Sequence, residues 1–238
     1  MDFFLVRPDQ IHEHVIVLGG EEYKHLSRVL RKKAGDHVFV TDGRGMMYDA
    51  IIRSFSRSEA ECTIVAAYER WNEPRLEVTV AVSLLRNPSR FDTMIEKTTE
   101  LGVTTIIPLL CERTVPKHEK HARLERIAVS ALKQCGRSIL PTIFVLTKFD
   151  TLVRSADRFS LKLVAHEQTE QSQFLGSLLQ HHKDAASVLL VVGPEGGLTP
   201  EEIELATENG FIPVSLGPRR LRSETAAISG VSWIVGGM

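Results

Sequence analysis

Val188-Leu189-Leu190-Val191-Val192-Gly193-Pro194-Glu195-Gly196-Gly197-Leu198-Thr199-Pro200-Glu201-Glu202 is the stretch whose reading decides the fold. Its first five residues are continuously apolar and mostly β-branched, as in a strand buried on both faces, and the run stops at Gly193-Pro194. Thr199 stands one residue before Pro200 and three before Glu202, so an N-cap, a first-turn proline and a capping-box acid predict a helix start. Gly210 predicts the end of that helix, and Phe211 to Leu216 reads as a second strand. A second glycine-marked loop follows, LGPRRLRSETA at 216–226, and opens into the small-residue run Thr225 to Val231. Strand, helix, strand, helix in this order predicts a parallel sheet. Ligands of such sheets bind beyond the carboxyl ends of the strands, where both loops must lie.

The loops restrict the ligand. GPEGGLTP lacks the lysine and hydroxyl residue with which a P-loop holds phosphates and magnesium, and no GxGxxG follows any strand. Glu195 would repel a pyrophosphate, so a neutral or cationic ligand suits the first loop better. S-adenosylmethionine carries a sulfonium cation.

Further motifs extend along the chain: HLSRVLRKKAGD at 25–36, DGRGMMYDAII at 42–52, MIEKTTELGV at 94–103, ERT at 112–114, QCGR at 134–137 and AHE at 165–167. With VVGPEGGLTPEE at 191–202 and LGPRRLRSETA, they make the chain resemble the SPOUT class of RNA methyltransferases, and specifically the bacterial 16S ribosomal RNA uracil-N3 methyltransferases. Lys133 departs from the family pattern, which has an acidic residue there. The resemblance implies an α/β fold: a trefoil-knotted methyltransferase domain over 73–238, preceded by a small PUA-like RNA-binding β-barrel over 1–72. It also implies S-adenosylmethionine as methyl donor with no metal, 16S ribosomal RNA within the small ribosomal subunit as substrate, N3 of a uridine in the decoding region as acceptor, and a homodimer built by the last helix.

For the donor, the resemblance carries over the backbone of 190–197 and 216–221 and the turn at Ala165 and His166, so that His166, Leu190, Gly193, Glu195, Gly196, Gly197, Leu216, Gly217 and Leu221 are the expected donor-site residues. Uracil N3 is protonated at neutral pH, so methylation requires loss of that proton and stabilisation of charge developing on O2 and O4. Arginines stay charged and offer planar donors. Arg222 is the first candidate, then Arg113 and Arg137, with Arg219 and Arg220 beside them and Glu224 and Glu112 as candidate bases. Against the catalytic reading of Glu224 stands a structural one: a carboxylate at a helix N-terminus is favoured by the dipole, and Arg222 could be its ion-pair partner. His166 has a similar alternative as a hydrogen-bonded packing residue at a strand end. Two other functions stay open, a sister enzyme methylating a ribose 2′-hydroxyl or a guanine of transfer RNA, and a non-catalytic RNA-binding factor of ribosome assembly.

Composition suits a cytoplasmic enzyme. The 238 residues are 43% hydrophobic, enough for a full core, and a net charge of −1 confines any RNA contact to local patches. Cys62, Cys111 and Cys135 show no zinc or disulfide spacing and read as free thiols. The HEKH segment at 118–121 reads as a solvated loop. No run is long enough to span a membrane, and Met1 to Val6 is too short and acidic for a signal peptide.

In the first 70 or so residues, strands are expected at 15–18, 38–41, 48–52 and 60–67, with Asp42-Gly43 as a hairpin turn. Between them, a helix over Tyr23 to Lys33 would put Lys24, Arg28 and Arg31 on one face and Leu26, Val29 and Leu30 on the other. That stripe, with His25 and Lys32, is the candidate RNA-binding surface; the alternative is a solvated helix face. Beyond a linker at Trp71 to Pro74, strands are expected at 76–85, 104–110, 142–146 and 161–165, and helices at about 89–101, 119–136 and 171–181.

Overall fold

The computed structural model describes residues 2–166 and 173–237. Glu167 of the AHE motif and the first residues of the helix expected at 171–181 therefore lie outside the described residues. Contacts divide the chain into two units, Met1–Glu73 with Val129–Leu140, and Pro74–Ala128 with Pro141–Met238.

The first unit is a six-stranded sheet of β1 (Phe3–Leu5), β2 (Ile11–His12), β3 (Val15–Gly19), β4 (His37–Thr41), β5 (Met46–Phe55) and β6 (Glu59–Glu69), in the order β1-β4-β5-β6-β3-β2. Only β1 and β4 run parallel. The four expected strands lie within β3 to β6. Register shifts between β5 and β6 at Asp49/Ala50 and Ile52/Ser54 bend the long hairpin. The hydrogen-bonded path remains open at β1 and β2, so the expected barrel is a half-barrel. Its concave side is filled by Phe4, Ile16, Leu18, Val38, Val40 and the thiol of Cys62, all fully buried. At the β4–β5 turn, Asp42 Oδ1 accepts the N–H groups of Arg44 and Met46 at 2.7 and 3.1 Å, the side-chain-to-backbone bonding for which Asp is favoured in turns.

The helix expected over 23–33 requires correction. An α-helical turn α1 (Gly20–Lys24) passes into a π-helical turn at His25–Val29, in which Leu30 N–H bonds to the carbonyl of His25. Arg31 then adopts a left-handed conformation (φ 54°) that ends the element, and Lys32 N–H closes onto the carbonyl of Leu26. The wider turn breaks the assumed spacing: Leu26 is fully buried and Leu30 packs on the core, but Val29 is 66% exposed.

Glu73 joins Val129–Leu140 to this unit. Its carboxylate is wholly buried and bonds Arg137 Nη2 at 2.6 Å and Nε at 3.1 Å, and it accepts the N–H groups of Ser138 and Ile139 at 2.8 Å each. Phe3 lies so close to Gly136 that a Cβ there would meet the ring at 2.4 Å. Lys133, the departure from the family pattern, pairs with Glu22 at 2.7 Å.

The second unit is α/β. Its elements in order are β7 (Glu77–Ser83), α2 (Pro88–Leu101), β8 (Thr105–Leu110), α3 (His121–Cys135, from Val129 part of the first unit), β9 (Thr142–Ile143), β10 (Thr147–Lys148), α4 (Phe149–Arg154), β11 (Leu161–Ala165), α5 (Leu175–Gln180), β12 (Ser187–Val192), α6 (Pro200–Glu208), β13 (Ile212–Val214) and α7 (Ser223–Gly237). All strands pair in parallel, in the order β10-β8-β7-β12-β11-β13 with β9 also on β8. As the apolar run predicts, β12 is central and its last five residues are buried. The expected strand at 142–146 is instead two short pieces around exposed Phe144 and Val145, and α4 was not anticipated. Among the described residues no helix is long and apolar enough to cross a membrane.

Candidate active site

A cleft of about 1070 Å³ opens where β11, β12 and β13 end. Strand β11 lies between the two strands that carry the glycine loops, so residues 193–198 and 215–223 face the same space, with Ala165 and His166 at its floor. Thr199 caps α6 in the anticipated capping box, its Oγ1 accepting from Glu202 N–H and Glu202 Oε2 accepting from Thr199 N–H at 2.9 Å. This sets where α6 begins, beyond the first loop. Gly193 fixes the near end of that loop, because a Cβ there would lie 2.8 Å from Leu198 Cγ and 3.2 Å from Leu198 N. In the second loop the requirement is conformational: Gly217 has a φ of 119°, in open space.

The structure brings most of the expected residues together. His166, Gly193, Glu195, Gly196, Gly197, Leu216, Gly217 and Leu221 line the cleft, as do Arg113 and Arg222. Arg113 Nη1 donates to the carbonyl of Gly196 at 2.9 Å and reaches that of Leu198 at 3.5 Å, so its charge is directed at the loop backbone. Glu195 Oε1 accepts the N–H of Arg86 at 2.9 Å, tying the first loop to the residues that follow β7. Arg222 is exposed, and its carbonyl accepts the N–H of Ala226 at the start of α7. The main-chain N–H groups of Leu216 and Leu221 have no partner among the described residues, leaving donors for a ligand.

Three expected residues do not reach the cleft. Leu190 points from β12 into α7, where a Cβ on Gly230 would meet its Cδ2 at 2.5 Å. Arg137 is 3% exposed, with its guanidinium on Glu73. Glu224 is 9% exposed, and its ion-pair partner is Arg90 of α2, with Nε 3.6 Å from Oε1, rather than Arg222. Its Oε2 is buried without a hydrogen bond. Sequence reasoning had no signal for Arg86 or Arg90, whose roles depend on α2 packing beside α7 and on β7 lying next to β12. Beneath the site, burial first and the charge of Glu202 second push the Cys111 thiol up to about 12, so it stays protonated. Among the described residues no three or more His, Cys, Asp or Glu gather as a metal site.

In the first unit, the cations expected to meet RNA differ in availability. Lys24 bonds Glu21 at 2.6 Å and Lys32 bonds Asp2 at 2.8 Å, whereas Arg28 and Arg31 are exposed with no ion pair among the described residues. His25 is exposed, with its ring edge-on to Phe4.

Comparison with known proteins is consistent along the chain. An RNA methyltransferase domain family matches residues 72–235, and an RNA methyltransferase PUA domain family matches residues 18–65. Proteins named ribosomal RNA small subunit methyltransferase E are 37% identical in Synechocystis, covering 93% of this chain and 73% of that protein, and 30% identical in Bacillus subtilis, covering 90% and 87%. A crystal structure of a protein of the same name from Neisseria gonorrhoeae, bound to S-adenosyl methionine, superposes with a TM-score of 0.85 at 28% identity, covering 98% of this chain and 95% of that one.

Proposed function

Because the chain belongs to the RNA methyltransferase family that includes the ribosomal RNA small subunit methyltransferases E, we propose that it transfers a methyl group from S-adenosylmethionine to N3 of one uridine in the decoding region of 16S ribosomal RNA. The observation that carries this reading is the cleft itself. Two glycine loops at the ends of parallel strands offer main-chain groups, and Arg222, with no ion pair among the described residues, stands at the rim. In this reading the N–H groups of Leu216 and Leu221, which have no partner among the described residues, bond a planar base, and Gly193 lets the first loop close onto Leu198 beside the donor. The S-adenosylmethionine bound in the Neisseria relative supports the same assignment.

When bound, the donor supplies an electrophilic methyl group on a sulfonium. The chain's own residues do the rest. They hold donor and acceptor in line, which accounts for much of the acceleration such reactions need. Arg222 places a permanent cation where negative charge develops on the uracil oxygens as the N3 proton passes to water, while the S–CH₃ bond breaks and the donor leaves as the neutral thioether. Arg113 acts one step further back, through the loop carbonyls it binds. Arg137 and Glu224 are assigned structural roles in this reading, since both are buried in ion pairs away from the cleft.

The first unit supplies RNA affinity through Arg28 and Arg31, with Lys24, His25 and Lys32 around them, and the assembled small subunit is the substrate. A homodimer formed through α7, a trefoil knot around the donor and a cytoplasmic location belong to the same proposal. The position of β11 between β12 and β13 and the exposed Trp233 on α7 support it. The test incubates the purified protein with labelled S-adenosylmethionine and small subunits lacking the modification, then maps the label by digestion and mass spectrometry. N3-methyluridine at one position is the expected result. Label on another base or on a ribose overturns the acceptor assignment, and absence of donor binding overturns the enzymatic reading.

A further inference from the structure

Glu202 enters the sequence reading only as the acid of a capping box, but its carboxylate has a second partner. While Oε2 accepts the N–H of Thr199, Oε1 accepts the N–H of Glu112 at 2.9 Å, across 90 residues of chain. Glu112 immediately precedes Arg113, whose Nη1 returns to the carbonyls of Gly196 and Leu198. A closed circuit results: the turn after β8 is held to the start of α6 by a carboxylate and to the loop after β12 by a guanidinium. Both links join a charged group to the backbone, the stronger class of hydrogen bond.

We propose that Glu202 is a positioning residue for methyl transfer: by fixing the turn at 112–114 against the first turn of α6, it aims Arg113 at Gly196 and Leu198 and keeps that loop in the shape that receives the donor. This rests on the donor-site reading above. The circuit needs two acceptor oxygens on one side chain, aimed at N–H groups on different elements. A glutamine supplies only one, and turns an NH₂ group against the other N–H. Glu112 is exposed, so water can take over its N–H when Glu202 is altered. The loss therefore falls on loop geometry more than on folding.

The experiment compares Glu202→Gln with Thr199→Ala, which weakens the α6 cap but leaves the Glu112 link in place. Donor affinity is measured by calorimetry, KM and kcat separately, and unfolding by thermal scan. Glu202→Gln is expected to raise the donor Kd and KM about tenfold with a smaller loss in kcat, whereas Thr199→Ala lowers the melting temperature at least as much with donor Kd within about twofold of wild type. In an Arg113→Ala background, Glu202→Gln should add less than about twofold, because both residues act through one link. Donor affinity unchanged in Glu202→Gln, equal losses in Thr199→Ala, or full additivity with Arg113→Ala overturns the proposal. A wild-type protein with no donor affinity overturns the functional reading instead.

Discussion

The loop that follows β12 and the loop that follows β13 both turn on glycine and both line the cleft, yet their charged side chains are used in opposite ways. In the first, charge is consumed internally: Glu195 accepts from Arg86 N–H, and the Gly196 carbonyl receives Arg113. In the second, the guanidinium groups of Arg219 and Arg222 have no hydrogen bond or ion pair among the described residues. One wall is a preorganised mould, and the other carries uncommitted charge. A guanidinium fixed on loop carbonyls is held to one place and cannot follow a developing anion, whereas a cation at the rim with no partner among the described residues can turn towards it. Residue type alone would have given Arg113 and Arg222 the same role; their partners separate them.

The largest expected effect breaks or upholds that contrast directly. Arg222→Ala should lower kcat by about a hundred- to a thousandfold while leaving donor Kd within about threefold, and Arg113→Ala should do the reverse, raising donor Kd about tenfold with the lesser loss in kcat. Single-turnover rates and calorimetry on the two variants decide it; matching profiles would mean that the walls are equivalent. Next in size is a test of why each loop has its glycine. Gly193→Ala drives a methyl into Leu198 and should cost about 1–3 kcal/mol of stability with weaker donor binding, partly recovered by adding Leu198→Ala. Gly217→Ala meets nothing within 4 Å and suffers only from its backbone angle, so no second-site truncation should rescue it. Rescue of both, or of neither, would erase the distinction between collision and conformation.

The smallest effect extends the comparison to the first unit, where the same distinction between committed and uncommitted cations recurs. Arg28→Ala and Arg31→Ala should each reduce the slope of log affinity for RNA against log salt by about 0.7–0.9, and Lys24→Ala and Lys32→Ala by clearly less, since Glu21 and Asp2 already neutralise those lysines. Equal slopes for all four would show that the internal pairs open on binding.

What could be read from sequence follows the range over which each feature is encoded. β12 and the start of α6 were legible because a buried central strand and a capping box are local patterns. The strands β1 and β2 were not, being three and two residues long and held by partners far along the chain. The α1 segment leaves helical periodicity at the π turn and ends at Arg31, a non-glycine residue whose left-handed backbone no local signal announces. At the site, the glycines and arginines were visible as types, but the pairing of Glu224 with Arg90 and the link from Glu202 to Glu112 are set by which strands lie side by side, and a sequence pattern carries no such order.

The division of the first unit into Met1–Glu73 and Val129–Leu140 has a consequence for the order in which the protein is made. When Glu73 leaves the ribosome, its carboxylate has none of the partners that Arg137, Ser138 and Ile139 later provide, and Phe3 has no Gly136 to rest on. At about 5–20 residues per second, those groups are synthesised several seconds afterwards. The half-barrel therefore waits, incomplete, while a large part of the second unit is being translated, and a protease or chaperone meeting the nascent chain during that interval encounters a bare Glu73 carboxylate and Phe3 ring that the finished protein covers.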